Sequence, residues 1–189
     1  QKTPLIEKIY DDRNWMMLVV LRSPATVIRK WFESGFFDKH NNDPREFTLT
    51  EKTNHNVYPW YARKDKEESY SDIEHIVDFV LNYFLDQENL HSKYKNNYRV
   101  IYFEVFENNP ILYLSEFTKF FGKFTSTTKK LLGKFDLPRK NFQKRIIQSQ
   151  EDLDFILPLL TNNDLKKELN QICINYENEA RIKLAQNLN

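Results

Sequence analysis

Two short apolar runs, each ending at a charged residue and followed by helix-start signals, constrain this fold more than any other feature. The first is Met16-Met17-Leu18-Val19-Val20-Leu21, leading into Arg22-Ser23-Pro24; the second is Tyr98 to Glu104, leading through Asn109-Pro110. Unbroken apolar runs of this length suit strands buried on both faces, the usual state of strands in parallel sheets. Ser23 suits an N-cap and Pro24 the first helical turn, so free backbone N–H groups and Arg22 are expected to converge on one point, a natural anion site. In the helix that follows, Val27, Ile28, Trp31 and Phe32 share one side, and Gly35 stands in the usual C-terminal position. After Pro110 a second helix aligns Ile111, Leu114, Phe117 and Phe121 before Gly122. Two apolar strands separated by helices predict an α/β fold, a parallel sheet flanked by helices.

The remainder of the chain fills in around that unit. A short helix is expected at 5–12. From Phe36 to Tyr70 no period of 2 or 3.6 persists, and aromatic and charged residues mix, as they do in binding elements and lids. Within it, Tyr58, Trp60 and Tyr61 form an aromatic cluster suited to stacking on a sugar or phenolic ring, or to anchoring the segment on the core. Ser71-Asp72-Ile73-Glu74 reads as a capping box, and Ile73, Ile76, Val77, Val80, Leu81 and Phe84 follow at helical spacing. Beyond Gly122 the sequence is helical and basic, with Lys129, Lys130, Lys134, Arg139, Lys140, Lys144 and Arg145 interrupted by Pro138. A last helix is expected from about Asp164, with Leu165, Leu169, Ile172 and Tyr176 facing inward. The chain of 189 residues, 40% hydrophobic, reads as one domain with a core at 1–122 and a basic helical extension at 123–189.

Charge and composition narrow the function classes. The 28 basic and 27 acidic residues leave a net charge of +1, so no global field draws the chain to nucleic acid, and anion recognition has to be local. The single Cys173 excludes an internal disulfide, and no Asn-x-Ser/Thr acceptor occurs, which leans toward a non-glycosylated compartment such as the cytoplasm. No run approaches the roughly 20 apolar residues of a membrane span. Glycines occur only at Gly35, Gly122 and Gly133, which leaves no glycine-rich phosphate loop. The histidines His40, His55, His75 and His91 lack metal-ligand spacing, and no metal is assigned.

In their order, the motifs resemble the sulfotransferase superfamily, closest in style to its carbohydrate and bacterial branches, over roughly residues 2–122. Lys2-Thr3-Pro4 is similar to the Lys-Ser/Thr-Pro that precedes a helix and a strand ending in Arg-x-Pro, and Arg22-Ser23-Pro24 is similar to that Arg-x-Pro. Tyr102-Phe103-Glu104-Val105, followed by Asn109-Pro110, resembles the family's Tyr-Glu-Asp-Leu and Asn-Pro, with Val105 in place of the aspartate. Phe120-Phe121-Gly122 resembles its Phe-Leu-Gly.

The resemblance implies a fold related to P-loop NTPases and the co-substrate 3′-phosphoadenosine 5′-phosphosulfate, whose sulfuryl group passes to a hydroxyl of a small-molecule or glycan acceptor. It implies that Arg22, helped by Ser23 and Lys30, holds the 3′-phosphate; Lys30 stands where the family commonly has serine, and lysine binds phosphate as a point charge. It places Lys2 beside the transferred group, where a fixed cation stabilises developing negative charge. Tyr58, Trp60 and Tyr61 are then candidates to bind the acceptor. The base is unassigned: Gln1 stands where the carbohydrate branch often has glutamate, and His40 and His55 are loop candidates.

The family's donor loop lies N-terminal of the Lys-Ser/Thr-Pro element, and here Lys2 is the second residue. The expectation is therefore either the C-terminal part of a longer protein, in which a Golgi-resident relative would carry an N-terminal anchor, or a degenerate relative. In the latter case the scaffold serves as a non-catalytic module that binds a protein partner. Glu104 is read as a structural carboxylate that hydrogen-bonds backbone across the sheet.

Overall fold

The computed structural model describes residues 16–35, 70–110, 113 and 141–185. In chain order these form β1 (Met17–Leu21), α1 (Pro24–Glu33), α2 (Asp72–Lys93), β2 (Tyr98–Tyr102), α3 (Phe103–Asn108), α4 (Phe142–Ile156), a 3-10 turn at Leu157–Leu159 and α5 (Asn163–Ala185). The strands pair in parallel, with Met17 opposite Tyr98 and Leu21 opposite Tyr102. Helices dominate the described residues around this small parallel sheet, the α/β arrangement that the two strand-to-helix junctions predict.

One sheet face carries Val19 and Leu21 beside Val100 and Tyr102. It adjoins the main core, which is built from Ala25 and Ile28 of α1, Ile73 to Phe84 of α2, Leu153 and Ile156 of α4, and Leu165, Leu169, Cys173 and Tyr176 of α5. The opposite face departs from the expectation of double burial. Ile101 there joins a second cluster with Val105, Tyr113, Phe142, Ile146 and Ala180, but Leu18 is 43% and Val20 55% exposed. Val20 borders a cavity with side chains of α1 and α2, but neither it nor Leu18 is buried.

Strand β2 also ends earlier than its apolar run suggests. It stops at Tyr102, and Glu104 falls in the first turn of α3, where a carboxylate suits the positive end of the helix dipole. Helix α1 starts at Pro24 after an Ser23 N-cap whose Oγ accepts the Thr26 N–H at 3.4 Å. It ends at Gly35, where φ is 61°, a conformation that costs glycine little. Trp31 packs inward on Phe79, with ring centroids 5.2 Å apart, but Phe32 turns out to the surface. In α5, Leu165, Leu169, Cys173, Tyr176 and Ala180 form the buried stripe; Cys173 takes the inward place expected of Ile172, which is only partly buried.

The basic stretch is seen from Asn141 onward, where Arg145 makes a buried-edge pair with Glu107: Nε and Nη2 donate to the two carboxylate oxygens at 2.8 and 3.0 Å. The helix expected at 5–12, the segment 36–69 and Lys129 to Lys140 lie outside the described residues, and of the helix expected after Pro110 only Pro110 and Tyr113, both helical, are described. Among the described residues, no helix is long and apolar enough to cross a membrane.

The capping box of α2 forms as its sequence predicts and extends further. Glu74 Oε2 accepts the Ser71 N–H at 2.9 Å and its hydroxyl at 3.0 Å. Its Oε1 accepts the Thr161 N–H at 2.8 Å, the Thr161 hydroxyl at 2.7 Å and the Asn162 N–H at 2.8 Å, tying the start of α2 to the connection between α4 and α5. Burial opposes ionisation of Glu74, but these donors outweigh it and bring its pKa down from 4.5 to about 2. A carboxyl whose folded pKa is depressed stabilises the fold above its unfolded pKa, and that contribution is lost as pH falls toward the folded value. Glu74→Gln is therefore expected to lower unfolding free energy at neutral pH by on the order of 2–3 kcal/mol. In urea titrations the gap to wild type should close between about pH 4.5 and about pH 2. A gap that persists unchanged at the acid end would assign the loss to packing instead.

Candidate functional site

The β1–α1 and β2–α3 junctions lie side by side because Leu21 and Tyr102 are register partners. Glu104, 4% exposed, joins them. Its Oε1 accepts the Ser23 N–H at 3.2 Å, and its Oε2 accepts from the Tyr176 hydroxyl of α5. The same hydroxyl lies 3.1 Å from the Leu21 carbonyl, so its one proton is shared between two acceptors. Burial, followed by the Glu104 charge, pushes Tyr176 well above the ordinary phenol range, and it stays a donor. The structural role read for Glu104 from sequence is the one seen, a carboxylate bonded to backbone across the two junctions.

The start of α1 differs from the open cradle expected of it. Pro24 has no N–H, the Ser23 N–H goes to Glu104, the Thr26 N–H goes to Ser23 Oγ, and the Ala25 N–H bonds the Cys173 sulfur. Ser23 Oγ is also hydrogen-bonded to Ser149 Oγ of α4. Thr26 Oγ1 donates to Asp152 at 2.7 Å. The helix terminus is packed beneath α4 and α5, and its donors are satisfied from within the fold. Asp152, Ser149, Tyr176 and Cys173 all come from the C-terminal helices, and nothing in their local sequence pattern pairs them with residue 23.

Three cations flank this junction, and two are engaged. Arg29 Nη1 bonds Asp152 at 3.0 Å and its Nε bonds Glu33 at 2.8 Å, with the guanidinium 4.7 Å from the Phe155 ring centroid. Lys30 lies roughly 10 Å further along α1 than Ser23, on the exposed side, paired with Glu33 at 3.0 Å. Arg22 is different. Its Nε is buried and has no hydrogen-bond partner among the described residues, and its guanidinium sits 5.2 Å from the Phe103 ring centroid. Arg22 also lines a cavity of about 360 Å³ walled by Trp31, Phe79 and Tyr83, with Val20, Val27 and Val80. Arg22 and Ser23 are thus neighbours at one strand end, and Lys30 stands apart from them with its own partner.

Lys2, Tyr58, Trp60, Tyr61, His40 and His55 lie outside the described residues. Among those described, no group of three or more histidine, cysteine, aspartate or glutamate side chains is placed to hold a metal ion. Comparison with family models, with curated proteins and with solved structures finds no match to this chain.

Two outcomes test this geometry. Glu104→Ala strands the buried Ser23 N–H and removes one acceptor of Tyr176, and is expected to cost about 3 kcal/mol, against about 1 kcal/mol for Tyr176→Phe. Both should appear as lower urea midpoints at unchanged slope. Burial pushes the Cys173 thiol up to about 12, so at neutral pH it should react with an aromatic disulfide reagent only at the rate of unfolding. Rapid labelling of native protein would show α5 to be loosely seated on α1.

Proposed function

We propose that this chain is a sulfotransferase-like domain that binds an adenine nucleotide bearing a 3′-phosphate, with Arg22 as the phosphate ligand. The observation that carries this reading is the buried, unpartnered Nε of Arg22 at the C-terminal end of a parallel strand, the side on which open α/β sheets bind ligands. A buried guanidinium N–H left without an acceptor is costly, and an oxyanion that accepts from Nε relieves that cost. The aromatic cavity beside it suits a planar ring carrying an anionic substituent.

With the α1 donors already satisfied, the phosphate is held by the side chain of Arg22 rather than by the helix terminus. In this reading 3′-phosphoadenosine 5′-phosphosulfate supplies the sulfuryl group, which passes in line to an acceptor hydroxyl on a small molecule or glycan. Lys2 stabilises the charge that develops on transfer, and Tyr58, Trp60 and Tyr61 face the acceptor. Lys30 contributes only if it exchanges Glu33 for phosphate.

A second reading has its own support. The filled N-terminus of α1, closed by Glu104, Ser149 and Cys173, is what a scaffold that has stopped binding nucleotide and serves protein contacts would retain.

Calorimetry with 3′,5′-bisphosphoadenosine separates the two. Folded wild type is expected to bind in the micromolar range, on the order of −8 kcal/mol, and Arg22→Ala to lose at least about tenfold in affinity. Absence of binding by folded wild type would overturn the nucleotide reading and favour the interaction module, and binding that Arg22→Ala leaves unchanged would overturn Arg22 as the phosphate ligand.

A further inference from the structure

A second cavity, of about 430 Å³, opens between α2, the core face of the sheet and α5. Its floor is apolar, from Leu21, Val100 and Ile172. Three aromatic rings line it in sequence: Tyr102 meets Tyr176 at 5.5 Å and 63°, and Tyr176 meets Phe84 at 6.0 Å and 76°. Such edge-to-face contacts set neighbouring rings at steep angles, so different ring faces and edges border one space. At the rim stand Glu88 of α2 and Glu179 of α5, both exposed and neither with an ion-pair partner among the described residues. Of the side chains lining this cavity only His91 can carry positive charge.

We propose that this cavity is a binding site for an organic cation, an amine or quaternary ammonium group with a small apolar body. Aromatic faces attract a cation through their quadrupoles, most strongly when it is desolvated, and carboxylates at the rim supply the countercharge. The volume falls within the range of small-ligand sites. Both carboxylates act at the cavity wall: after burial, the charges of Glu179 and Glu88 are what push Tyr102 up to about 12. An anionic ligand would meet these two like charges at the rim. The cavity is lined by α2 and α5 rather than by Arg22, so this inference is independent of the nucleotide reading.

Ligand-observed NMR titration of the full chain with choline, run against its neutral isostere 3,3-dimethylbutan-1-ol, tests the proposal. Choline is expected to bind roughly tenfold more tightly than the isostere. The double variant Glu88→Gln/Glu179→Gln, whose substituted side chains are both exposed, should keep the wild-type melting temperature and bring choline down to the level of the isostere. Tyr102→Leu should weaken choline more than the isostere. Equal binding of the two probes, no binding of choline to folded wild type, or a charge-neutralised variant that binds choline as wild type does would each overturn the assignment.

Discussion

Everything around the two strand ends depends on one buried carboxylate. Glu104 accepts from the backbone at the start of α1 and from the hydroxyl of Tyr176 on α5, and so fixes three elements that share no local sequence. An ion in such a place is tolerable only if donors replace the water it has lost. Here the donors among the described residues are a backbone N–H and a phenol held un-ionised by its own burial. Among the described residues Glu104 is thus satisfied without Arg22, one residue before Ser23, whose buried Nε has no hydrogen-bond partner there.

Glu74 repeats the device at the other end of the core. It too is buried and met by neutral donors, from the N-cap of α2 and from the link between α4 and α5. Each carboxylate tethers an N-terminal element to a C-terminal helix or its lead-in, across separations of 72 and 87 residues. The apolar core of α1, α2, α4 and α5 supplies the bulk of the driving force, while these two acids fix the register of the packing.

How far the sequence foretold this follows from the range of each interaction. The strands are short apolar runs, the Ser23 cap and the Ser71 to Glu74 box are short capping motifs, and the α5 stripe has period 3.6; all were legible, except that Cys173 takes the place expected of Ile172. The far partners of Glu74 were not, because a capping glutamate looks the same whether its second oxygen faces water or Thr161. The exposure of Leu18 and Val20 was hidden for a related reason: an apolar run records what a residue prefers, and only the neighbouring elements decide which face is covered. At the candidate site, Arg22 was legible as a cation beside a helix start. The occupation of that helix start by Ser149, Asp152 and Cys173 was not, since it comes from helices more than 100 residues downstream. The cavity between α2 and α5 is likewise a product of packing, and no local motif announces it.

The hydrogen bond from Tyr176 to the Leu21 carbonyl spans 155 residues, nearly the whole described chain. During synthesis, at roughly 5–20 residues per second, the end of β1 emerges on the order of 10–30 s before the residue that seals it. Over that interval the Ser23 N–H can meet Glu104, 81 residues on, and α1 can pack on α2, but the Tyr176 hydroxyl that bonds the Leu21 carbonyl is not yet made. The first junction to be made is thus among the last to close, and the chain's exposure to mispairing is set by its topology rather than by the stability of the finished fold.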